Sequence, residues 1–349
     1  MSRLSKLVRN AMNASKVTSL DTLSVSIHSA LQNQMDMTSK LDTILSHLKE
    51  KEDKSPQEPE QSKAGTEVPK TPYSISKTEH GHMVTNNQDM IIGESIRLTG
   101  SFEEKHIEDT VQFLKNQNIK INKSIFVDIG ANIGTHTIFA LKNGFQKALC
   151  VEPDPENFKL LRINQIMNDL DVCCINICAA ASETAGAGRL ETSPDNFGDN
   201  RVLSQQALQK NVHAEQNWIV KDIIKDKIDT IVINNGINFR DIGLVWVDTQ
   251  GHEGYVFGGG NALLASPAPI VCEFWPYGLN RSGGYEMLRA ALKASGRQVY
   301  DLRESLKQNA LAPLNNEQMD AMFHQFLAQE TPEASPHTDL LLLPANQTH

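Results

Sequence analysis

Along residues 17–50 apolar side chains recur every three and four positions. Leu20, Ile27, Leu41 and Leu48 stand in one series of sevens, with Gln34 as its polar member. Leu23, Ala30, Met37 and Ile44 form a second series three residues later. Glycine and proline are absent from the stretch. This pattern predicts a long helix at 1–50 that can pair with a copy of itself, a homo-oligomer through 17–50. An amphipathic helix folded onto the rest of the chain is the plainer alternative. The pattern stops at residue 51. Residues 51–75 are rich in Lys, Glu and Pro and hold few large apolar side chains, the composition of a flexible linker.

From residue 76 to 349 the pattern predicts one domain. Short apolar runs at 125–128, 148–152, 172–180, 244–248, 269–274, 297–302 and 339–345 read as strands. Helical patterns at 106–117, 137–143, 155–167 and 285–296 lie among them. Buried strands alternating with helices predict an α/β fold, a mostly parallel sheet with helices on both faces and an antiparallel strand near its end. The segment 190–242 is less regular. Its clearest pieces are a helical 204–211 and a strand-like 229–234, expected as an insertion or lid.

Composition narrows the partners. The formal net charge is -9 over 349 residues, with no basic stripe, so nucleic acid is not the expected partner. Five cysteines without a CxxC pair suit buried thiols in a reducing, cytoplasmic compartment. The first residues are too polar for a secretory core. No apolar run reaches bilayer-spanning length, so no stable membrane insertion is expected.

The chemistry begins at IFVDIGANIG, residues 125–134. A strand ends on Asp128, Gly130 and Gly134 flank a tight turn, and a helix follows. Glu152 ends the next strand 24 residues later, where a carboxylate can accept both hydroxyls of a ribose. Asp154 and Asn157 follow on the adjoining turn and helix. The run lacks the middle glycine of a dinucleotide fingerprint, and Asp128 would repel a pyrophosphate. A nucleoside cofactor with a cationic tail fits better, namely S-adenosyl-L-methionine. A structural glycine turn with a solvent-facing glutamate is the chemically silent alternative.

A second block, LVWVDTQGHEGYVFGGGNALL at 244–264, puts Asp248 at a strand end, then Gly251, His252 and Glu253. Glu273 ends the following strand. Acids from several strand ends thus converge on one rim. No compact His/Asp ligand motif accompanies them, so no metal is expected. His252 and Asp248 are the candidate bases, His252 favoured by its ordinary pKa and Asp248 by its position. Glu253 and Glu273 would orient an acceptor or hold loop backbone. His136 would touch the cofactor or face solvent. Trp275 and Tyr277 would form a sugar-stacking platform or pack in the core.

Three stretches resemble the FkbM family of S-adenosylmethionine-dependent methyltransferases. They are FVDIGANIGTHTIFA (126–140), VEPDPENFKLLRINQIMN (151–168) and VDTQGHEGYVFGGGNALL (247–264), within a resemblance spanning about 95–275. The resemblance implies a Rossmann-like, seven-stranded methyltransferase that O-methylates a hydroxyl of a sugar, glycan or secondary metabolite. It places Asp128, Gly130, Asn132 and Gly134 around the methionine part of the cofactor and Glu152 at the ribose. Asp248, Gly251 and Glu253 would lie near the methyl-transfer position or brace its loop. Gln250 departs from a common glutamate, His252 from a small or aromatic residue, and Trp246 from a frequent lysine. Three other readings compete: a catalytically inactive scaffold organised by the coiled coil, a nicotinamide-dependent oxidoreductase, and a protein or nucleic-acid methyltransferase. The last is disfavoured because the Asn/Asp-Pro-Pro-aromatic motif is missing.

Overall fold

A computed structural model describes residues 72–204 and 212–345. The predicted coiled coil, most of the linker and nearly all of the helix expected at 204–211 lie outside the described residues.

The described chain opens with a hairpin, β1 (Tyr73–Thr78) and β2 (Gly81–Asn86). Tyr73–Ile75, assigned above to the linker, are therefore strand. Ile75 pairs with Val84, and the Tyr73 ring lies 5.3 Å from the Lys159 ammonium. Helices α1 (Ile92–Thr99) and α2 (Glu104–Asn116) follow. Then strands and helices alternate as β3 (Ile125–Ile129), α3 (Thr135–Lys142), β4 (Lys147–Val151), α4 (Pro155–Met167) and β5 (Cys174–Ile177). Helix α4 begins where its sequence dictates. Asp154 caps it by accepting from the Glu156 amide, and Pro155 occupies its first turn.

Four strands come next: β6 (Ala180–Ala181), β7 (Gly186–Thr192), β8 (Arg201–Val202) and β9 (Ile219–Asp226). The chain continues through α5 (Ile228–Asn234), β10 (Ile242–Val247), α6 (Glu253–Gly258), α7 (Asn261–Leu264) and β11 (Ile270–Phe274). It ends with α8 (Pro276–Ser282), α9 (Tyr285–Ser295), β12 (Gln298–Asp301), α10 (Leu302–Gln308), α11 (Asn316–Gln329) and β13 (Thr338–Leu343).

The main sheet has seven strands in the order β12-β13-β11-β10-β3-β4-β5. Neighbours from β11 to β5 are parallel, and β13 runs antiparallel between β11 and β12. Alternation along each strand feeds two apolar layers. Val127, Leu149 and Val245 pack on one face with residues of α5, α6 and α9. Phe126, Ala148 and Leu244 pack on the other with residues of α2, α3 and α10. Chain order reverses at β3, whose neighbours are β4 and β10, so the turns after β3 and β10 meet at the carboxyl edge.

Two predicted strands are corrected. The run 172–180 is interrupted: Asp171–Cys173 form a 3-10 turn, β5 covers only Cys174–Ile177, and Ala180–Ala181 leave for a second sheet. The strand-like 229–234 belongs to helix α5. Its β-branched residues suit either period, and burial of Ile228, Ile231 and Val232 follows the helical spacing. Asp229 also accepts from the amides of Ala262 and Leu263 at 2.7 and 2.9 Å, capping α7. The irregular segment 190–242 proves to contain most of a four-stranded sheet, β6-β9-β7-β8, around Ala180, Leu190, Val202 and Ile223.

Two asparagines dock the hairpin. Asn164 accepts from the Val84 amide at 2.6 Å and donates to the Val84 carbonyl at 3.1 Å. Asn168 does the same for His82, at 3.0 and 2.7 Å. Positions i and i+4 on α4 thereby pair with i and i+2 on β2, where a neighbouring strand would otherwise stand. Asn164 also donates to the Ile133 carbonyl at 2.9 Å, reaching the glycine turn. Asn164→Ala would leave these buried backbone groups unsatisfied, at about 1–3 kcal/mol each for the worst placed. Chemical denaturation should show a loss of about 2–4 kcal/mol; a loss below about 0.5 kcal/mol would contradict this role.

Candidate functional site

The glycine turn is shaped by what it must avoid. Gly130 has φ +89°, and a Cβ there would fall 1.7 Å from the Asp248 carbonyl oxygen. Gly134 has φ +93°, and its Cβ would meet Leu161 at 2.7 Å. The amides of Gly130 and Ala131 donate to the Val151 carbonyl at 2.9 and 3.1 Å, which ties the turn to the end of β4. There Glu152 accepts from the Asn132 amide at 2.9 Å and the Asp154 amide at 2.7 Å.

A cavity of about 470 Å³ opens beside these groups, lined by Gly130, Asn132, Glu152, Asn157, Asp248 and His252 among others. It unites the two sequence blocks. The 193–200 loop runs beside it, with the Phe197 carbonyl accepting from the side-chain amides of Asn132 and Asn157 at 3.1 and 2.8 Å. Phe197, Asn200 and Val202 also line the cavity, and sequence reasoning missed all three. They lie in the segment with no motif, and only their partners reveal them.

Asp128 and Gly134 do not line this cavity. Asp128 is buried under the turn and accepts from the Thr137 hydroxyl at 2.5 Å through Oδ2, while Oδ1 has no partner. Gly134 shapes the helix start. Asp154 is a structural fastener: besides capping α4 it accepts from Asn200 and Lys221, each at 2.9 Å, holding the second sheet. Trp275 and Tyr277 are buried. The Arg201 guanidinium lies 4.6 Å from the Trp275 ring and 5.5 Å from the Tyr277 ring, so the core reading holds over the sugar platform. His136 is buried too, with Nε2 3.5 Å from Glu103, rather than facing solvent.

At the second block, Glu253 braces the turn. Its Oε1 accepts from the Thr249 amide and hydroxyl at 2.9 Å each and from the Gly251 amide at 3.2 Å. Gln250 donates to Asp248 at 2.7 Å and to Glu273 at 3.2 Å. His252 is 3% exposed, and its Nε2 lies 3.0 Å from the Ser182 hydroxyl. Among the described residues no group of three or more His, Cys, Asp or Glu is placed to hold a metal.

Burial sets the charges. It pushes Glu152 up to about 8, with Asp154 adding repulsion. It pushes Asp248 up to about 7, helped by Glu103. Glu273 rises well above its ordinary value through burial and then through Asp248 and Glu253. Burial opposes the charge on His136, yet Glu103 and Asp128 hold it up at about 9. Burial carries His252 down to about 3, with Glu183 opposing and Lys225 adding to the fall.

A glycine turn beside a strand-end carboxylate, with a buried acid under the turn and further acids at the next strand end, is the arrangement of a nucleoside-binding α/β edge. The family model described as the methyltransferase FkbM domain matches residues 128–304, just over half of the chain. The chain belongs to the FkbM methyltransferase family, and the cofactor of that class is S-adenosylmethionine. Among solved structures, the chain is similar to methyltransferase FkbM from Methylobacillus flagellatus KT, with 16% identity and a TM-score of 0.37, covering 64% of this chain and 44% of that one. It is also similar to M. jannaschii TYW2 in complex with AdoMet, with 11% identity and a TM-score of 0.34, covering 79% and 86%. The SAM-dependent methyltransferase from Agrobacterium tumefaciens has 10% identity and a TM-score of 0.35, covering 79% and 71%. The chain thus spans less than half the length of the M. flagellatus protein. No curated protein matches it.

The raised carboxyls predict how stability varies with pH. Asp128, Glu152, Asp248, Glu253 and Glu273 all have folded-state pKa values above their unfolded ones. The native state therefore binds more protons from about pH 4 upward, and stability falls as pH rises through about 7 to 8. His136, raised to about 9, adds to the fall above 6.5. His252, lowered to about 3, acts oppositely, but only below 6.5. The thermal midpoint of the free protein should drop between about pH 6.5 and 8.5, and Asp248→Asn should flatten the drop. A midpoint that rises over this range would contradict the assignment.

Proposed function

We propose that the protein transfers a methyl group from S-adenosylmethionine to a hydroxyl of a sugar, glycan or secondary metabolite. The single cavity that gathers Gly130, Asn132 and Glu152 with Asp248 and His252 carries this reading. Glu152 would hold the ribose hydroxyls, and the turn at Gly130 over the buried Asp128 would hold the cationic amino-acid end. S-adenosylmethionine held there would supply an electrophilic methyl carbon, with its sulfur as the leaving group.

The chain's own task is to hold the acceptor oxygen in line and to take its proton. Of the two candidate bases, Asp248 is the better matched. It is half-buried, lines the cavity and titrates at about 7, near the working pH. His252, buried and lowered to about 3, is a poor proton acceptor. Glu253 serves by fixing the turn on which Asp248 and Gln250 stand. Glu273, tethered to the same Gln250 amide, would orient the acceptor. Pairing through 17–50 and a cytoplasmic setting belong to the same proposal.

The test is calorimetric titration of S-adenosylmethionine. Wild type should bind saturably, and the Asp128→Ala, Glu152→Ala double variant should lose binding while staying folded. Absence of binding by folded wild type, freed of any retained ligand, would favour the inactive scaffold. Ribose hydroxyls donate to an ionised Glu152, so binding near pH 7 should release a proton, and affinity should weaken as pH falls below about 8. Titrations in buffers of different ionisation enthalpy read this directly. Once an acceptor is in hand, Asp248→Asn should lower kcat by about 10²-fold or more with cofactor affinity changed only a few-fold.

A further inference from the structure

A second cavity, of about 1100 Å³, lies beyond His252, which lines both spaces. Its walls include Tyr255, whose ring stacks on His252 at 4.5 Å, Ser204, Glu183, Gly188 and Lys225.

Proton counting fixes the hydrogen bonds at the shared wall. Ser182 Oγ lies 2.6 Å from Glu183 Oε2 and 3.0 Å from His252 Nε2. Burial opposes ionisation of Glu183, but the Ser182 hydrogen bond, a backbone amide and the charges of Lys225 and His252 together outweigh it and keep the carboxyl below its usual range. A carboxylate only accepts, so the one Ser182 proton goes to Glu183. Ser182 can then only accept from the imidazole, and His252 carries its hydrogen on Nε2. Nδ1 is left with a bare lone pair, buried and without a partner. A buried acceptor in that state wants a donor from a ligand.

Lys225 supplies the second feature. A Cβ on Gly188 would fall 2.7 Å from Lys225 Cγ, so the lysine stem lies directly over the glycine. The half-buried ammonium makes no ion pair or side-chain hydrogen bond among the described residues. Glu183, the acid of the same cavity, accepts from Ser182 and attracts Lys225 without reaching ion-pair distance of it. Arg189 and Asp222, also at this cavity, are cross-strand partners of opposite sign.

We infer that this cavity is the acceptor site and selects a polyhydroxylated acceptor bearing one anionic group, a carboxylate or a phosphate. The anion meets Lys225, and a hydroxyl other than the reacting one donates to Nδ1 of His252. Ser182 and Glu183 are positioning residues that hold the imidazole tautomer. The inference rests on the methyl-transfer reading.

The full-length protein loaded with S-adenosylhomocysteine would be titrated with glucose, glucuronate and glucose 6-phosphate at fixed ionic strength. The charged sugars, or one of them, should bind about 10-fold or more tightly than glucose, and the better of the two identifies the anion. Lys225→Met, which keeps the stem over Gly188, should erase the preference, and Lys225→Arg should keep most of it. The ¹⁵N spectrum of His252 at pH 7 should show the hydrogen on Nε2 in wild type and a mixture of tautomers in Ser182→Ala. Equal affinity for all three sugars, no binding by any, a preference that survives Lys225→Met, or a hydrogen on Nδ1 would overturn the inference alone. Failure of the folded protein to bind S-adenosylhomocysteine would remove the methyl-transfer reading and this inference with it.

Discussion

The site depends on one close approach, that of the Gly130 backbone to the Asp248 carbonyl oxygen. No side chain fits between them, because a Cβ would stand 1.7 Å from that oxygen. The two turns belong to adjacent parallel strands at the point where chain order reverses, so they are forced together by topology. The glycine turn is held from the other side by the Val151 carbonyl. Three consecutive neighbours, β4, β3 and β10, are thereby fixed at their carboxyl ends, and the cavity is the space they leave. Glu152 and Asp248 arrive on its rim because they are the next residues in line, without any further device.

The same geometry concentrates acids where water is scarce. Desolvation of this kind is tolerated only if each carboxyl keeps a proton, finds donors or awaits a cationic ligand. The first two occur here. Glu253 collects three donors from its own turn, Glu152 collects two backbone amides, and Asp128 keeps one oxygen without a partner. The second sheet solves its own problem with full pairing. Buried Arg201 meets Asp199 at 2.6 Å and Glu215 at 2.7 Å and lies against three aromatic rings. A charge network of that kind fixes where a segment sits more than it adds to stability. Its location beside the cavity, with Lys221 on Asp154, seats the 193–204 stretch against that cavity.

Much of the main sheet was legible because buried parallel strands are apolar on both faces and stand out as runs. Glu152 was legible because a strand-turn-helix unit has a narrow range of lengths. What escaped the sequence were features defined by a distant partner. Asp154 looked like a ligand-facing acid, yet Lys221 is 67 residues away and claims it. Tyr277 and Trp275 left a stacking platform and core packing equally open in the sequence, and Arg201, lying against both rings, decides for the core. Strand β7 was illegible for another reason: only Leu190 and Thr192 of its seven residues are buried, so alternation scarcely shows. Helix α5 was misread because its isoleucines and valine suit a strand, and packing against α7 chose otherwise.

Gln250 shows why a departure from a family's pattern can be consistent with its chemistry. A glutamate at this position would stand within hydrogen-bonding reach of Asp248 and Glu273, a third carboxyl beside two whose pKa values burial has already raised. It could approach them only by taking up a proton. The amide needs none, since its two hydrogens can reach both neighbours while its positive-φ backbone, at +54°, turns it back toward them. The substitution therefore removes one carboxyl from the titrating cluster and leaves Asp248, half-buried and raised to about 7, beside Glu273, half-buried and raised well above its ordinary value. A single carboxyl that can change its charge at working pH, beside a neutral amide that fixes its orientation, is a better-defined proton acceptor than three carboxyls sharing protons among themselves.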